Sequence, residues 1–428
     1  MIQFNLLLWT FLIIFAISSV FRWILTRVNI SHLRKVSRHV PEFFKGEIDN
    51  QTLSKMTDYT VDSSRFDSIA NIFDDIVILV ILLSGFLPWL VSKIFSCNLH
   101  FVLSGFIFFV ALALIKGILD IPFSLYGTFV IEKNYGFSTI SPKLWASDLL
   151  KNLVISALIM ASLLGPLLSL IYYAEKTWWL WVWMFFGFFQ LLILWLYPII
   201  IAPLFNKYEP IGDHDLKERI ISIAERVGIK VGGIYQVDAG KRSRHTNAYF
   251  TGMGKTKRIV LYDTLLKSHT AEEILSVLAH EIGHWKKKHI MKQLVFIEVC
   301  SFFAFYLAYR LIEWPVLYRT FGFEQGIPYV GLFLLAVLFK PIAFFLTPIG
   351  SMISRRFEQE ADDYSYLLIG TTQPLCGALR QLAKDNLANL FPHPLFVWFY
   401  YSHPPLAERI ARLQNIEREK RIEMPKFQ

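Results

Sequence analysis

Seven charge-poor apolar runs, each of about the 20 residues a helix needs to cross a bilayer, constrain what this 428-residue chain can fold into. They lie at roughly 4–25, 72–95, 101–125, 151–173, 178–201, 293–314 and 327–348. Inside lipid every backbone N–H and C=O must be satisfied within the segment, so runs of this length read as spanning helices. The first run lacks a basic leader and ends in Phe21-Arg22-Trp23 rather than in small residues, so it is expected to anchor the chain and not to be cleaved as a signal. Composition agrees: 54% of residues are hydrophobic, 18% are charged and mean hydropathy is +0.43, which excludes disordered, collagen-like and ordinary water-soluble chains. Cys97, Cys300 and Cys376 lie far apart with no CxxC pattern, which argues against a thiolate zinc site or a disulfide scaffold.

Basic residues alternate between the two sides of these runs. Arg27, Arg34, Lys35, Arg38 and Lys45 follow the first run, Lys133, Lys143 and Lys151 follow the third, and 206–292 is rich in both Lys and Arg. The opposite loops carry little beyond Lys93, Lys176, Arg310 and Arg319. The positive-inside rule therefore predicts a lumenal or periplasmic N-terminus and a cytoplasmic C-terminus. The net charge of +9 is then a topology signal. No basic patch interleaved with aromatics points to nucleic acid. Gly254-Lys255-Thr256 fails as a nucleotide-binding loop, because the glycine required five positions earlier is Tyr249. Lys116, Asp120, Glu298 and Lys340 fall in or near the apolar runs, where a charge facing lipid is costly, so they are expected to face a polar interior. Asn29 and Asn50 head Asn-x-Ser/Thr sites on the cytoplasmic side, where they would not be glycosylated.

Two stretches can hold chemistry in water, 206–290 and 350–428. The domain reading is thus 1–205 for five spans and their loops, 206–290 for a cytoplasmic catalytic segment, 291–349 for spans six and seven, and 350–428 for a cytoplasmic C-terminal segment. Within 206–290 a helix is expected near Asp215–Gly228, and short strands at Gly232–Asp238 and Arg258–Tyr262. After Thr270-Ala271-Glu272-Glu273, a capping-box pattern, comes His280-Glu281-Ile282-Gly283-His284. Residues four apart share a helix face, so both imidazoles can reach one Zn²⁺ while Glu281 is turned toward a water. That water, acidified by the metal, becomes a nucleophile once Glu281 takes its proton, and Glu281 can return the proton to the leaving amine.

Catalytic zinc usually has three protein ligands and an open position. Taken alone, Glu358, Glu360, Asp362 and Asp363 read as a solvated helix surface. On the same side of the membrane as the histidine pair they can complete it: Glu358 and Asp362 share one face, as a direct ligand and a carboxylate orienting a ligand histidine, while Glu360 is expected to point away. Lys286, Lys287, Lys288 and His289 read as interfacial residues before span six.

These residues resemble the CAAX prenyl endoproteases, membrane zinc proteases that include the a-factor and prelamin A processing enzymes. The resemblance rests on His280-Glu281-Ile282-Gly283-His284-Trp285, Ser354-Arg355-Arg356-Phe357-Glu358 with Ala361-Asp362, Lys241 to Phe250, and Tyr401-Ser402-His403-Pro404-Pro405 with Glu408-Arg409. It extends to Val40-Pro41, Asn134-Tyr135-Gly136-Phe137 and Lys384-Asp385-Asn386-Leu387, and so covers nearly the whole chain. It implies an all-α multi-pass fold of seven transmembrane helices forming a barrel around a large water-filled chamber, with a small α+β zinc-protease region on the cytoplasmic side. It also implies one Zn²⁺ held by His280, His284 and Glu358, with Asp362 orienting a ligand, His403 stabilising the oxyanion or positioning substrate, and Arg409 supporting His403. Asn247 and Ala248 would lie on an edge strand that pairs with extended substrate, although their residues alone suggest a turn. The implied substrate is a prenylated or membrane-associated peptide, and the implied location is the endoplasmic reticulum or inner nuclear membrane in a eukaryote, the cytoplasmic membrane in a prokaryote. Two alternatives remain open: a broad-specificity membrane quality-control protease, and a transporter or lipid-binding protein with a structural zinc.

Overall fold

The computed structural model describes residues 1–251 and 258–423; Gly254-Lys255-Thr256 lies outside the described residues. Among the described residues six helices are long and apolar enough to span a membrane: Leu6–Val36, Phe101–Asn134, Pro142–Tyr173, Trp178–Phe205, His289–Leu311 and Pro328–Ile369. The second expected span is different. Its helix, Asn50–Leu83, breaks before Phe86–Phe95 with a bend of 58°, and the pair makes a seventh span if its two parts cross together. Gly85 causes the break: its φ of +80° lies in the left-handed region, which costs glycine little and other residues about 1–2 kcal/mol.

Two spans contain a proline near a widened, π-helical turn, Gly127–Ile131 after Pro122 and Tyr197–Ile201 around Pro198. The wide turn absorbs the missing amide so that the helix continues. The last span goes further than hydropathy suggests. It is one helix of 42 residues that continues from the apolar run through Glu358 and Asp362, tolerating Pro341 and Pro348, and stops only at Gly370 with φ +87°. Hydropathy registers where lipid ends, whereas the helix ends where a residue can adopt the left-handed cap.

The charges expected in the interior find partners. Lys116 Nζ lies 3.0 Å from Asp74 and also contacts Asp120. Next to Asp74 on the helix Asn50–Leu83, Asp75 meets Arg22 of the first span at 2.5 Å and accepts from Ser19 at 2.7 Å. Glu298 instead accepts from Gln190 on the neighbouring helix, and Lys340 is exposed.

The segment after the fifth span forms a four-stranded sheet in the order β1 (Tyr208–Pro210), β2 (Gly233–Val237), β4 (Arg258–Tyr262), β3 (Ala248–Thr251). β4 runs parallel to β2 and antiparallel to β3, and Ile259, Val260 and Leu261 in it are fully buried, as a central strand covered on both faces requires. The apolar stripe of the helix His214–Arg226, Leu216, Ile220 and Ile223, packs on the sheet together with Ile274, Leu278 and Ile282 of the helix Ala271–Lys286. That helix starts as its capping box dictates: Thr270 Oγ1 accepts from the Glu273 amide at 3.3 Å, and Glu273 Oε2 accepts from the Thr270 amide at 2.8 Å.

Its other face lies against the long helix Pro328–Ile369 with little between the backbones. A Cβ added at Gly283 would meet the Ala361 Cα at 2.9 Å, the Tyr364 Cβ at 3.0 Å and the Ala361 carbonyl at 3.1 Å. Just along the same contact, buried Ser365 donates to the Ser276 carbonyl at 2.9 Å. Gly283→Ala is therefore expected to push the two helices apart at a cost of about 1–3 kcal/mol. The measurement is the thermal midpoint of the metal-free protein beside that of Gly350→Ala, whose Cβ meets nothing; equal midpoints would refute the close crossing.

Candidate metal centre

The crossing sets His280 and His284, one turn apart, opposite Glu358. His280 Nε2 and His284 Nε2 are 3.1 Å apart, His280 Nε2 lies 3.3 Å from Glu358 Oε2, and His284 Nε2 lies 3.2 Å from Glu358 Oε1. Ligands about 2.05 Å from one tetrahedral zinc would be separated by about 3.3 Å, so these spacings fit. The proton inventory says the same. Asp362 Oδ1, an acceptor, sits 2.8 Å from His280 Nδ1, which therefore carries the ring proton and leaves Nε2 a bare lone pair aimed at the other acceptors. Glu358 is only 4% exposed, and its Oε2 is buried with no hydrogen-bond partner. Three converging acceptors, one of them orphaned, form a cradle for a cation. With a proton in place of the metal, burial lowers His280, but hydrogen bonds to Asp362 and Glu358 overcome it and push the imidazole up to about 9.

Glu281 is half-buried beside this trio and makes no hydrogen bond among the described residues. Burial pushes its carboxyl upward, against the lowering by His280 and His284. His403 also reaches the site, its Nε2 3.3 Å from Glu358 Oε1, with Nδ1 2.9 Å from Ser402 Oγ. The helix that follows it starts at Leu406, three residues on. Asn247 and Ala248 stand at the start of β3, the edge strand, where the Asn247 side chain accepts from the Ala248 amide at 2.8 Å and its carbonyl from the Tyr262 amide at 3.1 Å.

Arg409 differs from its expected role. It lies against Asp362 rather than His403, donating from Nε at 3.0 Å and from Nη2 at 2.6 Å, and its Nη1 is 3.7 Å from Glu358 Oε2. The fork geometry of guanidinium and carboxylate explains the pairing, and sequence distance conceals it. His289 was expected as an interfacial residue, and Glu360, turned off the metal face as expected, has a partner the sequence did not show. Buried His289 sets its Nδ1 3.0 Å from His284 Nδ1 and its Nε2 3.1 Å from Glu360, so neither is a plain surface group. Arg355 was missed as well: its Nη1 donates to the Val397 and Tyr401 carbonyls at 3.0 and 2.6 Å, tying down the segment before His403. Its place between Ser354 and Arg356 in the acidic-helix motif was the available signal.

Elsewhere the motif residues tie the sheet region to the membrane helices. Arg242 forks onto Asp148 at 2.7 and 2.8 Å and donates to Asn206 at 2.9 Å. His245 stacks on Phe137 at 4.0 Å and contacts Asn386 at 3.0 Å and Glu132 at 3.3 Å.

Comparison with known proteins agrees with this geometry. Residues 29–207 match the CAAX prenyl protease N-terminal family, five membrane helices, and residues 210–417 match peptidase family M48. CAAX prenyl protease 1 of Saccharomyces cerevisiae is 34% identical over 412 residues, spanning 89% of this chain and 90% of that protein. The Homo sapiens CAAX prenyl protease 1 homolog is 31% identical, spanning 90% of each. The crystal structure of S. mikatae Ste24p superposes with a TM-score of 0.88 at 33% identity, covering 94% of this chain and 98% of that one.

Removing Arg409 leaves Asp362, 1% exposed, with only His280 as a partner and without its charged one. Arg409→Ala is expected to cost about 3–5 kcal/mol, and Arg409→Lys to recover only part of it, since an ammonium cannot span both oxygens. Denaturant midpoints of both variants, with chelator present to remove any metal contribution, are the check.

Proposed function

Because the chain belongs to the CAAX prenyl proteases of peptidase family M48, we propose that this multi-pass membrane metalloendopeptidase cleaves prenylated CAAX proteins or related membrane-associated peptides near their C-termini. The observation that carries the reading is a second carboxylate, Glu281, beside the His280, His284 and Glu358 cradle and not part of it. A structural metal site has no use for such a carboxylate.

His280, His284 and Glu358 would hold one Zn²⁺. Bound there, zinc polarises the scissile carbonyl and lowers the pKa of a bound water to about 7. Glu281 accepts the proton of the attacking water and passes it to the leaving amine; a carboxyl raised by burial sits closer to neutral pH, where both transfers are efficient. His403, on the rim, donates to the oxyanion of the tetrahedral intermediate or positions substrate. Asp362, held by Arg409, keeps the His280 proton on Nδ1. The open edge of β3 at Asn247 and Ala248 pairs with extended substrate backbone.

A water-filled chamber within the helix ring is part of this proposal. In the most apolar stretches of the spans 0–33% of residues are buried, the sparse mutual packing that helices ringed around an open interior would have. A compact protein of 49.8 kDa exposes about 17,000 Å², whereas this one exposes 23228 Å². We read the distribution of Lys and Arg as setting the metal site on the cytoplasmic side, and the family resemblance as implying the endoplasmic reticulum or inner nuclear membrane in a eukaryotic host and the cytoplasmic membrane in a prokaryotic one. We assign 1–205 and 291–349 to the membrane unit, and 206–290 and 350–428 to the cytoplasmic unit.

Two experiments test the reading. Glu281→Gln is expected to keep its zinc while cleavage of a farnesylated CAAX peptide falls at least 10²–10⁴-fold; activity within about threefold of the parent would return the chain to a structural-zinc role. On topology, an impermeant thiol reagent applied from the lumenal or periplasmic side should label a single cysteine at Lys176 and miss one at Glu225, both exposed positions. The opposite pattern would separate the site from cytoplasmic substrates.

A further inference from the structure

The two metal-facing imidazoles are gripped by different devices, and the second device has no role in the mechanism above. This inference rests on His280, His284 and Glu358 being the metal ligands. His280 is oriented by a carboxylate, Asp362, at 2.8 Å from its Nδ1. The Nδ1 of His284 instead faces a third imidazole, the Nδ1 of His289, at 3.0 Å. Beyond it, His289 Nε2 lies 3.1 Å from Glu360 Oε2.

The protons along this chain follow from one fixed end. Glu360 only accepts, and Lys292 and Arg356 at 3.6 and 3.4 Å keep positive charge beside it, so His289 carries its proton on Nε2. Its Nδ1 is then a bare acceptor and takes the proton of His284 Nδ1. His284 Nε2 is left with its lone pair facing His280 Nε2 and Glu358, the one tautomer that can bind a metal. A doubly protonated His289 would donate to His284 Nδ1 and move the ring proton to the metal side.

The surroundings fix His289 in this pose. It is 2% exposed, and its ring stacks on Phe357 at 4.2 Å with the planes 8° apart. It arrives there through Lys288, whose φ of +57° is the left-handed conformation that a lysine rarely adopts, and which turns the chain back onto the preceding helix. Strain at such a turn persists only where the surrounding structure holds it. We propose that His289, oriented by Glu360, is a positioning residue that locks His284 in its metal-binding tautomer, as Asp362 and Arg409 do for His280.

The test reads metal release, not peptide cleavage. Zinc-loaded protein in detergent is challenged with excess chelator, and the cobalt-substituted forms are compared by their visible spectra. His289→Leu keeps the bulk against Phe357 but offers no acceptor, and it is expected to release zinc about 10–100-fold faster with an altered cobalt spectrum. His289→Gln restores an acceptor toward His284 and a donor toward Glu360, and it should recover most of the parent rate. Glu360→Gln, which leaves the ring stack intact, should fall between them and carries the comparison if the Leu variant lowers the metal-free thermal midpoint. Parent-like release from His289→Leu, or equally fast release from the Leu and Gln variants, overturns the positioning role. Zinc retained by His284→Ala would overturn the metal site itself and this inference with it.

Discussion

The metal centre depends on one close approach, that of the helix Ala271–Lys286 to the helix Pro328–Ile369 at Gly283 and Ala361. Neither helix holds a complete site. The first brings His280, Glu281 and His284, the second Glu358, Glu360 and Asp362, and only a crossing without a Cβ lets histidine nitrogens and carboxylate oxygens come within 3.3 Å. Sheet, cap and membrane helices act as supports for this crossing. The capping box fixes where the first helix starts, Leu278 and Ile282 press it on the sheet, and Ser365 latches the second helix to the Ser276 carbonyl.

Burying so many ionisable groups is costly, and the way in which the cost is offset is itself informative. Asp362 is balanced by Arg409 and His280, and Glu360 by His289, Lys292 and Arg356. Glu358 is the exception: Arg409 stands no closer than 3.7 Å, and Oε2 finds no hydrogen bond. A buried network with one unmet acceptor is less stable than an apolar core of the same shape. A divalent cation between the two imidazoles and this carboxylate would remove the deficit, and its binding would then be coupled to folding stability.

Much of this was legible in the sequence, for definite reasons. Apolar runs of bilayer length reveal spans because lipid leaves the backbone no alternative, and His280-Glu281-Ile282-Gly283-His284 carries its geometry in its own spacing. What was hidden depends on partners far away in the chain. Arg409 could equally have supported nearby His403, and only the fold shows it forked onto Asp362, 47 positions away. Glu360 was correctly placed off the metal face by helical rotation, but its partner His289 comes from another helix, through a left-handed Lys288 that no composition rule anticipates. The bend at Gly85 and the unbroken passage of the last span into the site were hidden for a related cause: hydropathy measures the environment of a helix, not its continuity.

That continuity sets how deep the metal site lies. Glu358 is ten residues past the apolar run that ends near 348, on the same uninterrupted helix. At 1.5 Å per residue the ligand sits about 15 Å beyond the hydrocarbon edge, and less if the helix is tilted. An extended peptide spans about 3.3 Å per residue, so roughly four or five residues bridge from the membrane core to the metal. A chain tethered to the membrane by a lipid near its C-terminus is held within that span of the site, whereas a soluble chain has no such tether. On the proposed function, a lipidated substrate would gain from the length of this helix before any pocket for the lipid itself is invoked.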